Sequence, residues 1–195
     1  GRWLFGLSDG RLLLLDWLPD GLPQWQFYDD DRAAVARQIA IQETEQGPAL
    51  LRYQPGLLQL LKPGTDEWLS IAISEQDFEV AYLLGDRQLR HILVVSAQGR
   101  VLHFQLTATG AELMQQRLLL SHDQYVTAIN WLAGGQSLLV GDSAGMISQW
   151  AFAADPQGIL QLVMLRQFKH SDTAIRHVLP EYQRRGFLAL DDNGL

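Results

Sequence analysis

Apolar and polar positions alternate along residues 126–152, VTAINWLAGGQSLLVGDSAGMISQWAF. Val126, Ala128 and Asn130 alternate with Thr127, Ile129 and Trp131. That period of two predicts a strand with one buried face. Ala133-Gly134-Gly135-Gln136 interrupts the run, because paired glycines supply the positive φ of a tight turn. Residues 137–141, SLLVG, predict a second strand. Asp142-Ser143-Ala144-Gly145 predicts a second turn, and residues 146–152, carrying Trp150, a third strand. Turn signals about every ten residues predict an antiparallel meander.

The pattern recurs. An apolar strand, a polar turn ending in glycine and a second apolar strand surround Gly10, Gly56, Gly99, Gly145 and Gly194, at intervals of 46, 43, 46 and 49 residues. A repeat of roughly 40–50 residues built only of short strands predicts β-propeller blades of about four strands each. The fold expected is all-β: a partial propeller of about four blades. The first and last sheets of an open arc expose unpaired strand edges, which predicts either self-association through them or a small closed ring.

Between the turns the remaining strands fall into place. Hairpins are predicted at 3–7 with 11–17, at 50–53 with 57–61 around Gln54-Pro55-Gly56, and at 91–96 with 100–106. Further strands are predicted at 24–28, 67–74, 78–84, 159–168, 174–179 and 186–190. Pro19-Asp20-Gly21, Gly85-Asp86-Arg87 and Asp155-Pro156-Gln157-Gly158 carry turn chemistry, and Gly47-Pro48 is expected to break the chain. Residues 33–43 fit helical spacing at Val35, Ala36, Ile39 and Ala40, yet Ile39 and Ile41 alternate with Gln38 and Gln42. The repeat favours a strand over 36–43. Residues 111–120 have the same ambiguity, and residues 117–120 stand where an outer strand belongs. The second repeat is the most degenerate. No linker or charge block divides the chain, so residues 1–195 are expected to form one domain.

Composition narrows the partners. The chain is 47% hydrophobic and 19% charged, a globular balance. A net charge of −7 disfavours nucleic acid and anionic lipid. The absence of cysteine excludes disulfides, thiolate metal sites and cysteine nucleophiles, and fits an oxidising compartment. No run reaches the ~18–20 apolar residues that span a bilayer. The chain starts without Met and stops just after a turn, which suggests an excised fragment.

Candidate chemistry is sparse. Ser121-His122-Asp123 and His170-Ser171-Asp172 lack the strained nucleophile elbow and oxyanion hole of a triad. His91, His103 and His177 have no second ligand at zinc spacing. Asp29-Asp30-Asp31 lacks the spacing of a calcium loop. Gly134-Gly135 lacks the Lys-Ser/Thr and the helix of a phosphate loop. Asp9, Asp142 and Asp192 precede turn glycines and are expected to hold the turn backbone through Asx hydrogen bonds. The six tryptophans, mostly at strand positions, are expected to pack the blades; a tryptophan-ringed cofactor floor is the alternative. Arg184-Arg185 is the one notable basic pair. No catalytic, cofactor-binding or metal residue is assigned, and an enzyme is not expected.

Val126, Ile129, Leu138 to Asp142, Gly145 and Trp150, with His122 before them, resemble a WD40 repeat. The chain departs from it at Ser121, where Gly is usual, and at Ala151 after Trp150, where Asp is usual. Residues 126–195, with GGQSLLVGDSAGMISQW and RRGFLALDDNG, are similar to the large extracytoplasmic domain of long-form phosphate ABC transporter permeases of Gram-negative bacteria. That resemblance implies a periplasmic accessory domain, part of a larger inner-membrane protein, with ATP hydrolysed by separate subunits. It does not say what the domain does; an array of blades with loops and no catalytic constellation leads us to expect docking to other transporter subunits or to a periplasmic phosphate-binding protein. It carries no site residue. Two alternatives stand beside it: a WD40-like scaffold unrelated to transport, and a propeller enzyme holding a quinone or metal.

Overall fold

The computed structural model describes residues 2–7, 11–16, 21–28, 38–65, 67–74, 78–121, 123–132, 135–181 and 186–194. Seventeen strands lie among them, in five sheets of sequential strands. Their ladders are antiparallel. The first sheet holds β1 (Arg2–Gly6), β2 (Leu12–Asp16) and β3 (Gln24–Tyr28). The second holds β4 (Gln38–Thr44), β5 (Gly47–Gln54), β6 (Leu57–Leu61) and β7 (Trp68–Ala72). The third holds β8 (Val80–Gly85), β9 (His91–Ser96), β10 (Arg100–Leu106) and β11 (Ala111–Leu118). The fourth holds β12 (Val126–Trp131), β13 (Ser137–Asp142), β14 (Met146–Ala154) and β15 (Leu160–Lys169), and the fifth β16 (Ile175–Pro180) and β17 (Phe187–Asp191). Three sheets are thus complete four-stranded blades, flanked by one of three strands and one of two.

Both ambiguous segments are strands, but the outer strand of the third sheet begins six residues before the expected 117–120 and leaves out Leu119 and Leu120. Residues 38–44 and 111–118 pair in ladders, because each completes the edge of a sheet whose inner strands are already fixed. Residues 33–37 lie outside the described residues. Gly47-Pro48 does not break the chain. The turn is Glu45-Gln46, and Pro48 sits in β5 opposite Glu43. Proline is tolerated there because β6 ends at Leu61, which pairs with Leu50, so no second neighbour needs the missing N–H of Pro48. The second repeat, the most degenerate in sequence, still builds a full four-stranded sheet. Its central turn, Pro55-Gly56, is one residue shorter than Ala97-Gln98-Gly99 in the third. Aligning the two repeats on their glycines therefore shifts β5 by one residue and exchanges its faces.

The core lies between sheets. Ala49, Leu51, Tyr53, Leu58 and Leu60 of the second sheet pack on Ile92, Val94, Leu102 and Phe104 of the third. Leu93, Val95 and Val101, on the third sheet's other face, pack on Trp131, Leu138, Val140, Trp150 and Leu162 of the fourth. Ala128, Leu139 and Ile147 of the fourth pack on Ile175 and Val178 of the fifth. Because β9 and β13 are covered on both faces, they read as near-continuous apolar runs, HILVVS and SLLVGD. Fully burying one such Leu or Val contributes about 1.5–3 kcal/mol. Polar bonds cross the same junctions. Tyr53 OH donates to Phe78 O at 3.0 Å, and Asn130 Nδ2 to Val178 O at 3.2 Å.

One turn is clamped by its neighbour. Gly145 adopts φ +80°, and its carbonyl accepts from the amides of His170 (2.9 Å) and Ser171 (3.3 Å) on the way to the fifth sheet. A Cβ here would overlap the carbonyl oxygen of Ser171 and lie 2.7 Å from that of Thr173. Asp142 secures the other side, its Oδ1 accepting from the amides of Ala144 and Met146, both at 2.9 Å.

Candidate functional site

The residues weighed for chemistry fall mostly into structural roles. Ser171 Oγ donates to Thr173 O at 3.0 Å, and Asp172 pairs with Lys169 at 3.0 Å. This His-Ser-Asp segment is the clamp on Gly145. In the other segment Asp123 takes a left-handed turn conformation, φ +68°, while His122 lies outside the described residues. The expected Asx bond forms at Asp142. At the end of the chain it belongs to Asp191, whose Oδ1 accepts from Asn193 N at 2.8 Å, and not to Asp192, which pairs with Arg176. The reason is register: Asp191 and Asp142 both stand three residues before their glycine. Asp86 and Asp155 make the same kind of bond. Asp9, Asp29, Asp30, Asp31, Gly134, Arg184 and Arg185 lie outside the described residues.

The hairpin of β9 and β10 brings together two histidines that spacing rules do not connect. Leu93 pairs with His103 and Gln105 with His91, so the imidazoles are diagonal neighbours on one face. His91 Nδ1 and His103 Nε2 lie 3.0 Å apart, both side chains buried. Phe152 of β14 stacks on His91 at 4.3 Å and tilts on His103 at 4.7 Å. Among the described residues His103 Nδ1 has no hydrogen-bond partner. An orphaned buried N–H costs more than an orphaned lone pair. We therefore assign the shared proton to His103 Nε2, donating to His91 Nδ1. Burial, and then the neighbouring His91, pull His103 down to about 4. Burial also lowers His91, opposed by Asp86 and reinforced by Arg90. Among the described residues no group of three His, Cys, Asp or Glu side chains could hold a metal. Sealed under Phe152, the pair is built as a neutral strut between the third and fourth sheets. His177 is exposed on β16.

The tryptophans divide. Trp150 and Trp131 are buried in the junction of the third and fourth sheets, as packing requires. Trp150 Nε1 donates to Ser148 Oγ at 2.9 Å. Trp68 lies under the Arg52 guanidinium at 4.4 Å. Trp3 and Trp25 do not pack a junction: they are 61% and 56% exposed. They share a face of the first sheet with Phe5 and Phe27, 40% and 46% exposed, and with Leu13 and Leu15. Trp3 pairs with Leu15 and Phe5 with Leu13, while Leu13 and Leu15 pair in turn with Phe27 and Trp25. Phe5 and Trp25 rings lie 6.0 Å apart, and Arg11 sits 4.7 Å over Phe27. The alternation of Trp3 with Phe5 and of Trp25 with Phe27 marks one face in the sequence. What parity does not tell is whether that face is covered.

The chain superposes on solved structures. The β-propeller domain of Cps50 (Swd1) from Myceliophteria thermophila superposes with a TM-score of 0.71 at 15% identity, over 99% of this chain and 63% of that one. The fold is that of a WD40-type β-propeller. Sqt1 from Chaetomium thermophilum gives 0.70 at 12% identity, over 97% and 50% of the two chains. Sqt1 bound to the N-terminus of ribosomal protein L10 gives 0.67 at 11%, over 97% and 53%. Identities this low speak to fold alone. The chain spans about half to two-thirds of the length of these propellers. No family model and no curated protein matches the sequence.

Proposed function

We propose that the chain is a protein-docking module of WD40 type that offers the aromatic face of its first sheet to a partner. The observation that carries this reading is that face: four aromatic side chains at 40–61% exposure, two on β1 and two on β3, on either side of β2. Aromatic clusters dominate interface energetics, and exposed apolar patches of this kind mark interaction sites. A solved relative in fold, Sqt1, holds the N-terminus of a ribosomal protein, which supports protein segments as the kind of ligand such a fold takes. The test is affinity capture of the intact protein from its own cells, wild type against Trp25→Glu, with partners identified and rebound in purified form. A stoichiometric protein partner lost at least tenfold in the variant is the expected result. Capture indifferent to the substitution, or no partner at all, overturns the reading.

A second reading is favoured by one observation, the likeness of residues 126–195 to the extracytoplasmic domain of phosphate permeases. Under it the partner is another transporter subunit or a periplasmic phosphate-binding protein, at the periplasmic face of the bacterial inner membrane. The structural comparisons support the scaffold and lend nothing to transport. Among the described residues no helix is long and apolar enough to cross a membrane. Binding of the purified cognate phosphate-binding protein at micromolar concentration is the outcome expected of this reading. Its absence at high micromolar concentration removes it and leaves the scaffold standing.

A further inference from the structure

In the third and fourth sheets the outermost strands, β11 and β15, each have one edge that pairs with no strand among the described residues. The two edges can be compared position by position. Leu106 and Phe152 stand at the same distance from their turn glycines, Gly99 and Gly145. Ala111 pairs with Leu106 as Leu162 pairs with Phe152. Both Ala111 and Leu162 point their backbone groups away from the sheet. For Ala111 this follows from the hairpin. Thr107 N donates to Gly110 O at 2.9 Å, and Leu106 N donates the other way, to Arg90 O at 2.8 Å. The same alternation turns the N–H and C=O of Leu113 outward, before a bulge at Met114 ends the regular edge.

The protein covers one of these edges itself. Gln115 Oε1 of β11 accepts from Leu162 N at 2.8 Å, and Arg117 Nη1 donates to Leu162 O at 2.8 Å. At the junction before it that reach is missing. Gln115 pairs with His103 and Arg117 with Val101, while in the second sheet Leu69 pairs with Leu60 and Ile71 with Leu58. Leu58 and Leu60 face the third sheet as Val101 and His103 face the fourth. Leu69 and Ile71 are therefore the counterparts of Gln115 and Arg117, and neither side chain can form a hydrogen bond. Among the described residues no side chain bonds the outward groups of Ala111 or Leu113. Their surroundings are apolar. Leu113 is 52% exposed. Beside Ala111 opens a cavity of about 150 Å³, lined by Lys62, Glu67, Trp68, Leu69 and the turn at 108–110. A space of that volume holds a group the size of a benzene ring.

We propose that this notch, on the rim between the second and third sheets, is a second docking surface, apart from the aromatic face, and that its occupant is an extended segment of a partner protein. The segment adds as a strand to the edge of β11. Its backbone bonds the N–H and C=O of Ala111 and Leu113, and one of its apolar side chains seats in the cavity against Trp68 and Leu69. The chemistry sets the class of occupant. Donors and acceptors paired at strand spacing match a polypeptide backbone, and one apolar cavity beside them matches one side chain of it. The edge of β15 does not compete, because Gln115 and Arg117 already hold Leu162. The bulge at Met114 keeps the contact short.

A random library of short displayed peptides, selected on the immobilised chain, supplies the probe. Ala111→Pro removes an outward N–H and breaks no bond inside the sheet. Leu113→Glu places a charge beside the cavity at an exposed position. The expected result is a set of peptides that bind the wild type and lose at least tenfold in affinity to each variant, while Trp25→Glu leaves their binding unchanged. Replacing the apolar residue of such a peptide by Asp should cost at least tenfold as well. Hydrogen exchange on the wild-type chain reads the edge directly, whether or not the variants fold. Bound peptide should slow the Ala111 and Leu113 amides at least tenfold and leave the Leu162 amide unchanged. A selection that yields no peptide overturns the proposal, and so does exchange at Ala111 and Leu113 that peptide does not slow. Peptides indifferent to Ala111→Pro and Leu113→Glu in folded chains overturn it too. If those peptides are lost with Trp25→Glu instead, the docking reading at the aromatic face survives and this proposal does not.

Discussion

Replacing Gly145 by alanine is expected to lower stability by about 3 kcal/mol or more, several times the effect of the same change at Gly158. The two positions have nearly the same backbone, φ +80° and +82°. At both, alanine pays the cost of a left-handed conformation, about 1 kcal/mol. The difference lies in what surrounds them. Nothing stands within 4 Å of a Cβ at Gly158, whereas at Gly145 it would overlap the backbone carbonyls of Ser171 and Thr173. Those carbonyls cannot rotate away as a side chain can, because the same segment donates the His170 and Ser171 amides to the Gly145 carbonyl. Relief requires the loop to lift from the fourth sheet, with Ile175 behind it. Urea unfolding of the two variants measures the contrast. Equal midpoints for both would mean that the clamp on this turn is not present in solution.

Stability is expected to fall by on the order of 3 kcal/mol as the pH drops from about 6.5 to about 4. The source is His103. Its ordinary value near 6.5 is pulled to about 4 in the folded chain, by burial first and by His91 second. The sign follows from proton binding. Between these two values the unfolded chain is protonated at this side chain and the folded chain is not, so acid favours unfolding. Above pH ~6.5 the contribution is complete, and below pH ~4 it is gone, with a slope of about 1.4 kcal/mol per pH unit between. The second sheet supplies the control, since it holds Ala49 and Leu60 at the corresponding places. The double variant His91→Ala, His103→Leu should flatten the profile across this range. Urea midpoints taken from pH 7.5 to 4.5 make the measurement. A wild-type slope that persists in the double variant would place the sensitive group elsewhere.

Much of the architecture could be read from the residues. The hairpins around Gly99 and Gly145 follow from alternation and turn chemistry, and the near-constant interval between glycines follows from one sheet repeated. Gly141, Asp142, Gly145, Ser148 and Trp150, the most specific stretch, each have a task inside the blade: close approach to Ile175, the turn bonds, the clamp, and the Trp150 indole bond. A likeness carried by such residues therefore reports how a blade is made. The face assignment of the second sheet was hidden because a turn shorter by one residue inverts it without disturbing the pattern. The histidine pair was hidden for another reason. A search at helical ligand spacing cannot see two residues twelve apart that a hairpin sets side by side. The aromatic face was visible as a stripe, but exposure depends on what stands opposite, and that is a property of neighbours.

Among the described residues each apolar cluster spans two adjoining sheets and none spans three. Cooperativity is accordingly short-ranged. A wound in one sheet is felt by those on either side and fades beyond them. The second and third sheets share no cluster with the fifth, so a cavity cut beside Ile175 or Val178 reaches them only through the junction between the third and fourth.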